Sequence, residues 1–234
     1  MIIEGLRCVR QSLRNEGLRA TLAICGSRVV DVGFDLRYGT DTYGWVSPGH
    51  FGLDAERVAN SEYYKPSHGG PLRQVLASLD LPGRRVLFDI GCGKGRVLMI
   101  AAELGFDIAR GIEFSPRLAV IAQKNLERFA RRRQTATRCE VILDDIRAHT
   151  LRDDENVFYL FNPFDGLVMS SVVQKIQESL VRKPRQVHVV YRAPEQRRYL
   201  DGSSCFESPI RFCSLGQEYL LYRSTLGPSA ASSS

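Results

Sequence analysis

The stretch from Arg85 to Leu98 leaves a chain of 234 residues few folds to choose from. An apolar run, Val86-Leu87-Phe88, ends at Asp89; glycines follow at 91, 93 and 95, and a helix-like pattern opens directly after them. A strand, a glycine turn and a helix start make the first half of a nucleotide-binding α/β unit. Glycine there lets a ligand lie against the backbone, where a β-carbon would block the approach. The spacing separates two ligand classes. A dinucleotide fingerprint requires G-x-G-x-x-G or a final alanine, and the sixth position here is Arg96. The pattern is D-x-G-x-G-x-G instead, with the carboxylate of Asp89 ahead of Gly91. A carboxylate at a strand end suits a cationic ligand better than a diphosphate.

This motif resembles the first motif of the class I S-adenosylmethionine (SAM)-dependent methyltransferases. The resemblance implies an α/β fold, a doubly wound, mostly parallel seven-stranded sheet of Rossmann-like type. It also implies SAM as cofactor and S-adenosylhomocysteine as product, with Asp89, Gly91, Gly93 and Gly95 at the cofactor. SAM carries a sulfonium and an ammonium, which an acidic pocket would receive.

The chain beyond the glycine turn keeps alternating strand and helix patterns, as a parallel sheet covered on both faces requires. A helix is expected from about Arg96 to Leu104 and a second strand from Asp107 to Phe114, with Ser115 capping the next helix and Pro116 in its first turn. Glu113 lies at that strand's end, followed by Phe114, where a carboxylate can accept hydrogen bonds from both hydroxyls of an adenosine ribose. Strand three, Cys139 to Leu143, runs into Asp144-Asp145-Ile146. By the resemblance, Asp145 would bind the adenine amino group and the Ile146 amide the ring, with Asp144 solvated or an alternative contact. Strand four, Val157 to Phe161, leads into Asn162-Pro163-Phe164-Asp165.

The Asn162-Pro163-Phe164 segment resembles the [Asp/Asn]-Pro-Pro-[Tyr/Phe] motif of methyltransferases that modify nitrogen. There, an amide oxygen and a nearby carbonyl accept hydrogen bonds from an amine and aim its lone pair at the methyl carbon. The present form has one proline, so adenine stacking does not carry over. It matches better an uncharacterised bacterial group that also has a Tyr-x-Pro-Thr segment, seen here as Tyr64-Lys65-Pro66-Ser67. By that likeness Tyr64 and Ser67 would reach the methionine end of SAM, and Asn162 would touch both cofactor and acceptor. The alternative for Tyr64 is a structural one, capping the entrance of a helix that follows over Leu72 to Leu79. Asn162 could likewise be a strand-ending turn former.

After a helix from Leu167 to Leu180, strand five covers Gln186 to Arg192, with His188 expected as a hydrogen-bonded core residue. A short helix over Glu195 to Leu200 precedes two segments, Cys205 to Cys213 and Glu218 to Tyr222, that would close the sheet as an antiparallel pair.

Three regions are expected: an N-terminal helical and loop extension over 1–61, the methyltransferase domain over 62–225, and a disordered tail over 226–234. Within the extension, Ile2, Leu6, Val9 and Leu13, then Leu18, Leu22, Cys25 and Val29, recur at helical spacing. Such helices would dock on the protein's own core or on a second subunit, giving a homodimer; interspersed arginines would alternatively suit an anionic membrane surface. Phe34 to Trp45, dense in turn formers and aromatics, reads as an ordered loop.

Composition narrows the rest. No apolar run approaches the ~20 residues that span a bilayer, and Met1-Ile2-Ile3-Glu4-Gly5 does not open a secretory signal. Six scattered cysteines without a C-x-x-C pair point to reduced thiols, a cytoplasmic protein and no metal site. The formal charge is +6, gathered partly at Arg128, Arg131, Arg132 and Arg133 and partly at Arg182, Lys183 and Arg185. These clusters read as solvated helix ends, with nucleic acid or an acidic membrane as the alternative partner. The expected activity is methyl transfer from SAM to an amine nitrogen of a small molecule or protein. The alternatives are a small-molecule O-methyltransferase and a catalytically silent SAM-binding or assembly module.

Overall fold

The computed structural model describes residues 29–53, 63–161 and 165–225. The amphipathic stretches expected before Val29, the tail after Thr225 and Asn162-Pro163-Phe164 lie outside these described residues.

Seven strands form one sheet: β1 (Val86–Ile90), β2 (Ile108–Glu113), β3 (Arg138–Leu143), β4 (Val157–Phe161), β5 (His188–Arg192), β6 (Ile210–Ser214) and β7 (Gln217–Arg223). Their order is β3-β2-β1-β4-β5-β7-β6. The pairs from β3 to β5 are parallel, and β7 runs antiparallel to both β5 and β6. The helices are α1 (29–38), α2 (Gly69–Ala77), α3 (Arg96–Glu103), α4 (Pro116–Arg132), α5 (Gly166–Arg182) and the short α6 (Arg198–Asp201). From β1 the chain winds outward through β2 to β3, then returns to lay β4 on the other side of β1. That reversal opens a crevice at the carboxyl ends of β1 and β4, the position where ligands bind in open α/β sheets.

Strand alternation divides the core in two. Leu87, Ala109, Val157 and Tyr159 face α1 to α4, whereas Phe88, Ile112, Phe158 and Leu160 face α5 and α6. All five residues of β1 are buried, as a central parallel strand requires. Asp89, two residues from Leu87, therefore points to the α1–α4 side, and its register partner on β4 is Tyr159. Burying apolar side chains stabilises such a core by roughly 1.5–3 kcal/mol each.

The expected loop beginning at Phe34 is corrected by α1. Asp31, Phe34 and Tyr38 line the buried face of that helix, with Phe34 and Tyr38 packed into the core beside Phe129. Their spacing is helical, but an acid within the stripe and Gly33 between its members disguise it. Two other boundaries move. The last antiparallel strand pair begins at Ile210 rather than Cys205, with Phe206 making only a single bridge to Ser224. The short helix begins at Arg198. Asp165 caps α5 by accepting from the Val168 amide, and Ser115 caps α4 by accepting from the Leu118 amide. His188 is buried and contacts Gln186 at 2.9 Å.

Among the described residues, no helix is long and apolar enough to cross a membrane. Four of the seven cations in the basic clusters are engaged by the chain itself. Arg132 donates to the carbonyls of Leu36 and Arg37, and Arg133 to that of Glu103. Arg182 pairs with Asp153, and Arg185 donates to the Glu155 carbonyl.

Candidate cofactor cleft at the carboxyl ends of β1 and β4

A cleft of about 290 Å3 opens at the crevice, close to the lower end of ordinary ligand pockets at ~300 Å3. Its floor is the glycine turn. Gly91, Gly93 and Gly95 have φ of 81°, 53° and 83°, all in the left-handed region that favours glycine. The amides of Gly91 and Cys92 both donate to the Ile112 carbonyl, tying the turn to β2. Gly95 has a different task from the other two. A β-carbon there would meet Ala122 of α4 at 3.3 Å, so this glycine permits close helix packing and does not line the cleft.

Two buried acids face the turn. Glu113 accepts from the Gly93 amide at 2.8 Å and from the Ser115 amide at 2.9 Å. Burial nevertheless outweighs these bonds and pushes its carboxyl up to about 6. Asp89 is 2% exposed, and its Oδ2 has no hydrogen-bond partner. Burial first, and the Glu113 charge second, raise its carboxyl well above the usual range. A buried, unpartnered carboxylate oxygen is costly unless a ligand completes it.

The cleft's upper wall comes from the segment before α2. Tyr64 pairs through its backbone with Val46, and its hydroxyl donates to the Thr42 carbonyl at 2.9 Å. Its ring lies so close over the turn that a β-carbon on Gly93 would sit 2.2 Å from Cε2. The expected alternative, a tyrosine capping the helix entrance, is therefore corrected: Tyr64 is held by the 42–46 segment. Ser67 hydrogen-bonds the Tyr159 hydroxyl at 2.7 Å, deep between β4 and α2. Burial pushes that phenol up to about 12, which keeps it neutral near pH 7.

The structure thus gathers Tyr64, Ser67, Asp89, Gly91, Gly93, Glu113 and Phe114 around one cleft. Gly95, Asp145 and Ile146 are not among its lining residues. The Asp145 carboxylate is gripped by Arg147, and Ile146 is buried in the α5-side core. Asp144 accepts from the Asp145 amide and contacts His149.

Sequence reasoning missed Phe51, Arg96, Tyr159 and Glu195, which also line the cleft. Tyr159 could have been found from strand alternation, because it shares the face of Asp89 once β4 lies beside β1. Phe51 had no local signal. It arrives because its carbonyl accepts from the Ser115 hydroxyl at 2.8 Å, and its ring meets Phe114 edge-on.

No family model matches the chain, and no curated protein matches it. Solved structures do resemble it. The mitomycin 7-O-methyltransferase MmcR is 17% identical over 89% of this chain and 68% of its own, with a TM-score of 0.53. The glycopeptide N-methyltransferase MtfA is 14% identical over 66% of this chain and 89% of its own, with a TM-score of 0.51. An RNA methyltransferase from Salinibacter ruber, in complex with S-adenosyl-L-homocysteine, is 23% identical over 70% of this chain and 95% of its own, with a TM-score of 0.49. At these identities the likeness is one of architecture. With its sheet order and its cleft at the winding reversal, the chain has the Rossmann-like fold of MmcR and MtfA.

Proposed function

We propose that this chain is a SAM-dependent methyltransferase acting on an amine nitrogen of a small molecule or a protein. The observation that carries the cofactor assignment is the unpartnered, buried Oδ2 of Asp89 beside a glycine turn at the winding reversal. The ammonium of SAM supplies the donor that Asp89 lacks, and the Glu113 carboxylate receives the ribose hydroxyls. A dinucleotide would bring a diphosphate against two acids instead. Lys94 and Arg96, the nearest cations of the turn, already pair with Asp41 and Asp31.

Methyl transfer from a sulfonium is an in-line displacement: the acceptor lone pair forms the new bond to carbon as the carbon–sulfur bond breaks, and its electrons stay on sulfur. The protein has to align the partners and exclude water. A protonated amine has no lone pair, so the acceptor sheds a proton before attack, which desolvation in the cleft promotes. Asn162, which follows Phe161 in the sequence, is assigned the role of orienting that amine. An Asn162→Ala variant is expected to lose turnover of labelled SAM while keeping its affinity for SAM. Unchanged turnover would remove the case for nitrogen chemistry. An amine acceptor is preferred to nucleic acid because four of the seven clustered cations, Arg132, Arg133, Arg182 and Arg185, are engaged within the chain.

The decisive experiment is a calorimetric titration with S-adenosylhomocysteine, with NAD as comparison. Micromolar binding of the first alone supports the assignment. Binding of neither would favour a silent module, and preference for NAD would sink the cofactor reading.

The acids also set a pH signature. Glu113 titrates at about 6 in the free protein. A ligand that prefers its ionised form lowers that value, so binding near pH 6 should expel protons. Affinity is therefore expected to fall as pH drops through about 6. Titrations at pH 6 in two buffers of different ionisation enthalpy measure the proton release. Proton uptake instead would mean that the ligand prefers the protonated acid.

A further inference from the structure

We propose that Arg96 is a positioning residue for the cleft: it holds the segment 40–46 over the glycine turn so that Tyr64 stands as the cleft's upper wall. This rests on the cofactor assignment above. Arg96 opens α3 directly after Gly95, and its side chain is 2% exposed. The guanidinium bridges three points of the N-terminal segment. Nε donates to Thr42 Oγ1 at 2.7 Å and Nη2 donates to the Asp31 carbonyl at 3.2 Å, while Nη1 forms an ion pair with the Asp31 carboxylate at 2.5 Å without hydrogen-bond geometry. Asp35 stands 3.7 Å from Nη2 and collects the Thr42 amide and hydroxyl and the Tyr43 amide.

Thr42 is the link to the cleft. Its hydroxyl is held by Arg96 and Asp35, and its carbonyl accepts the Tyr64 hydroxyl. Arg96 thus reaches Gly93 twice: along α3 and the glycine turn from below, and through Thr42 and the Tyr64 ring from above. Lys94, on the other side of Gly95, supports the same segment by donating to Asp41 and to the Tyr43 carbonyl. Asn125 of α4 completes the attachment, accepting from the Asp41 amide and donating to the carbonyls of Asp41 and Lys94.

A buried ion pair adds little stability over a well-packed apolar pair, because desolvation offsets the attraction. What this one supplies is direction. The planar fork of arginine fixes several partners at set angles, which an apolar contact cannot do.

Trp45, the single tryptophan, is 70% exposed and adjoins the Val46–Tyr64 bridge, with the Lys65 ammonium 5.6 Å from its ring. Its emission therefore reports on the wall. S-adenosylhomocysteine is titrated into the full chain while Trp45 emission and binding heat are followed. In the wild type, binding is expected to shift the emission. Arg96→Met is expected to weaken binding at least about tenfold and to abolish the emission response, with the circular dichroism of the sheet intact. A merely structural role would lower the melting temperature and leave the Trp45 response in place.

Should Arg96→Met fail to fold, Tyr64→Phe decides the matter. It keeps the ring and loses only the bond to Thr42, and is expected to weaken binding roughly three- to tenfold. Wild-type binding with an Arg96→Met affinity within about twofold and the emission response preserved would overturn the proposal while leaving the cofactor assignment standing. The same holds for unchanged affinity in Tyr64→Phe. Failure of the wild type to bind would overturn both.

Discussion

Asp89→Asn is expected to melt about 2–4 °C higher than the wild type without ligand, and to bind S-adenosylhomocysteine at least about tenfold more weakly. The two effects have one cause. Without ligand, Asp89 is a buried carboxyl with an unpartnered oxygen and Glu113 as its charged neighbour. An amide of the same shape removes the repulsion and the cost of burying a charge, a gain of about 1 kcal/mol. The sign follows from linkage. Because the folded Asp89 carboxyl is raised, its contribution to stability is largest when protonated and declines as pH rises from the unfolded pKa through the folded one. The asparagine variant escapes that decline, so its advantage should widen toward neutral pH. Ligand reverses the ranking. The wild type gains stability as the ammonium binds, in proportion to the logarithm of ligand concentration over Kd, and the variant gains less. Melting curves with and without S-adenosylhomocysteine should therefore cross over. A variant that is less stable without ligand would show that Asp89 is a structural acid with a partner of its own.

Gly93→Ala is expected to be the more damaging change, for steric reasons at two scales. With φ at 53°, any side chain pays for the left-handed backbone, on the order of 1 kcal/mol. The new methyl would also lie 2.2 and 2.5 Å from two carbons of the Tyr64 ring, which its bond to Thr42 and its pairing with Val46 hold in place. Moving that ring dismantles the wall. We expect a loss of roughly 2–4 kcal/mol of stability, a melting point lower on the order of 10 °C, and no binding measurable by calorimetry. Gly105→Ala is the matched control. Gly105 has φ of 72° and open space within 4 Å of where the alanine methyl would stand, so it isolates the backbone cost, again about 1 kcal/mol, and should leave binding unchanged. If the two alanines behave alike, the close packing of Tyr64 on the turn has no energetic weight.

Legibility from sequence followed the range of the interactions. The strand and glycine turn from Val86 to Gly95, the acid at Glu113 and the Ser115-Pro116 helix start announce themselves because each depends on neighbours within a few residues. The antiparallel pair at the end of the sheet was visible too, though not its start, because a strand with exposed residues such as Ile210 and Arg211 carries a weak pattern. Arg96 was legible only as an obstacle to a dinucleotide. Its partners Asp31 and Thr42 lie more than fifty residues earlier, and nothing local links them. Asp145 shows the converse. Its place after β3 was clear, but its pairing with Arg147 depends on side-chain geometry that spacing alone does not convey.

The winding order has a consequence for how the chain acquires its cleft. The wall at Tyr64 and the acid at Asp89 are synthesised well before β4, which must slot in beside β1 after β2 and β3 have already been laid on its other edge. Roughly a hundred residues separate Tyr64 from Phe161, an interval of about 5–20 s at ribosomal speed. Until β4 is made, the β1 edge that it will cover stays open, and Ser67 lacks the Tyr159 hydroxyl that fixes it. A nascent chain ending before β4 would therefore have the glycine turn but no cleft, and the cofactor would join a finished sheet instead of templating one.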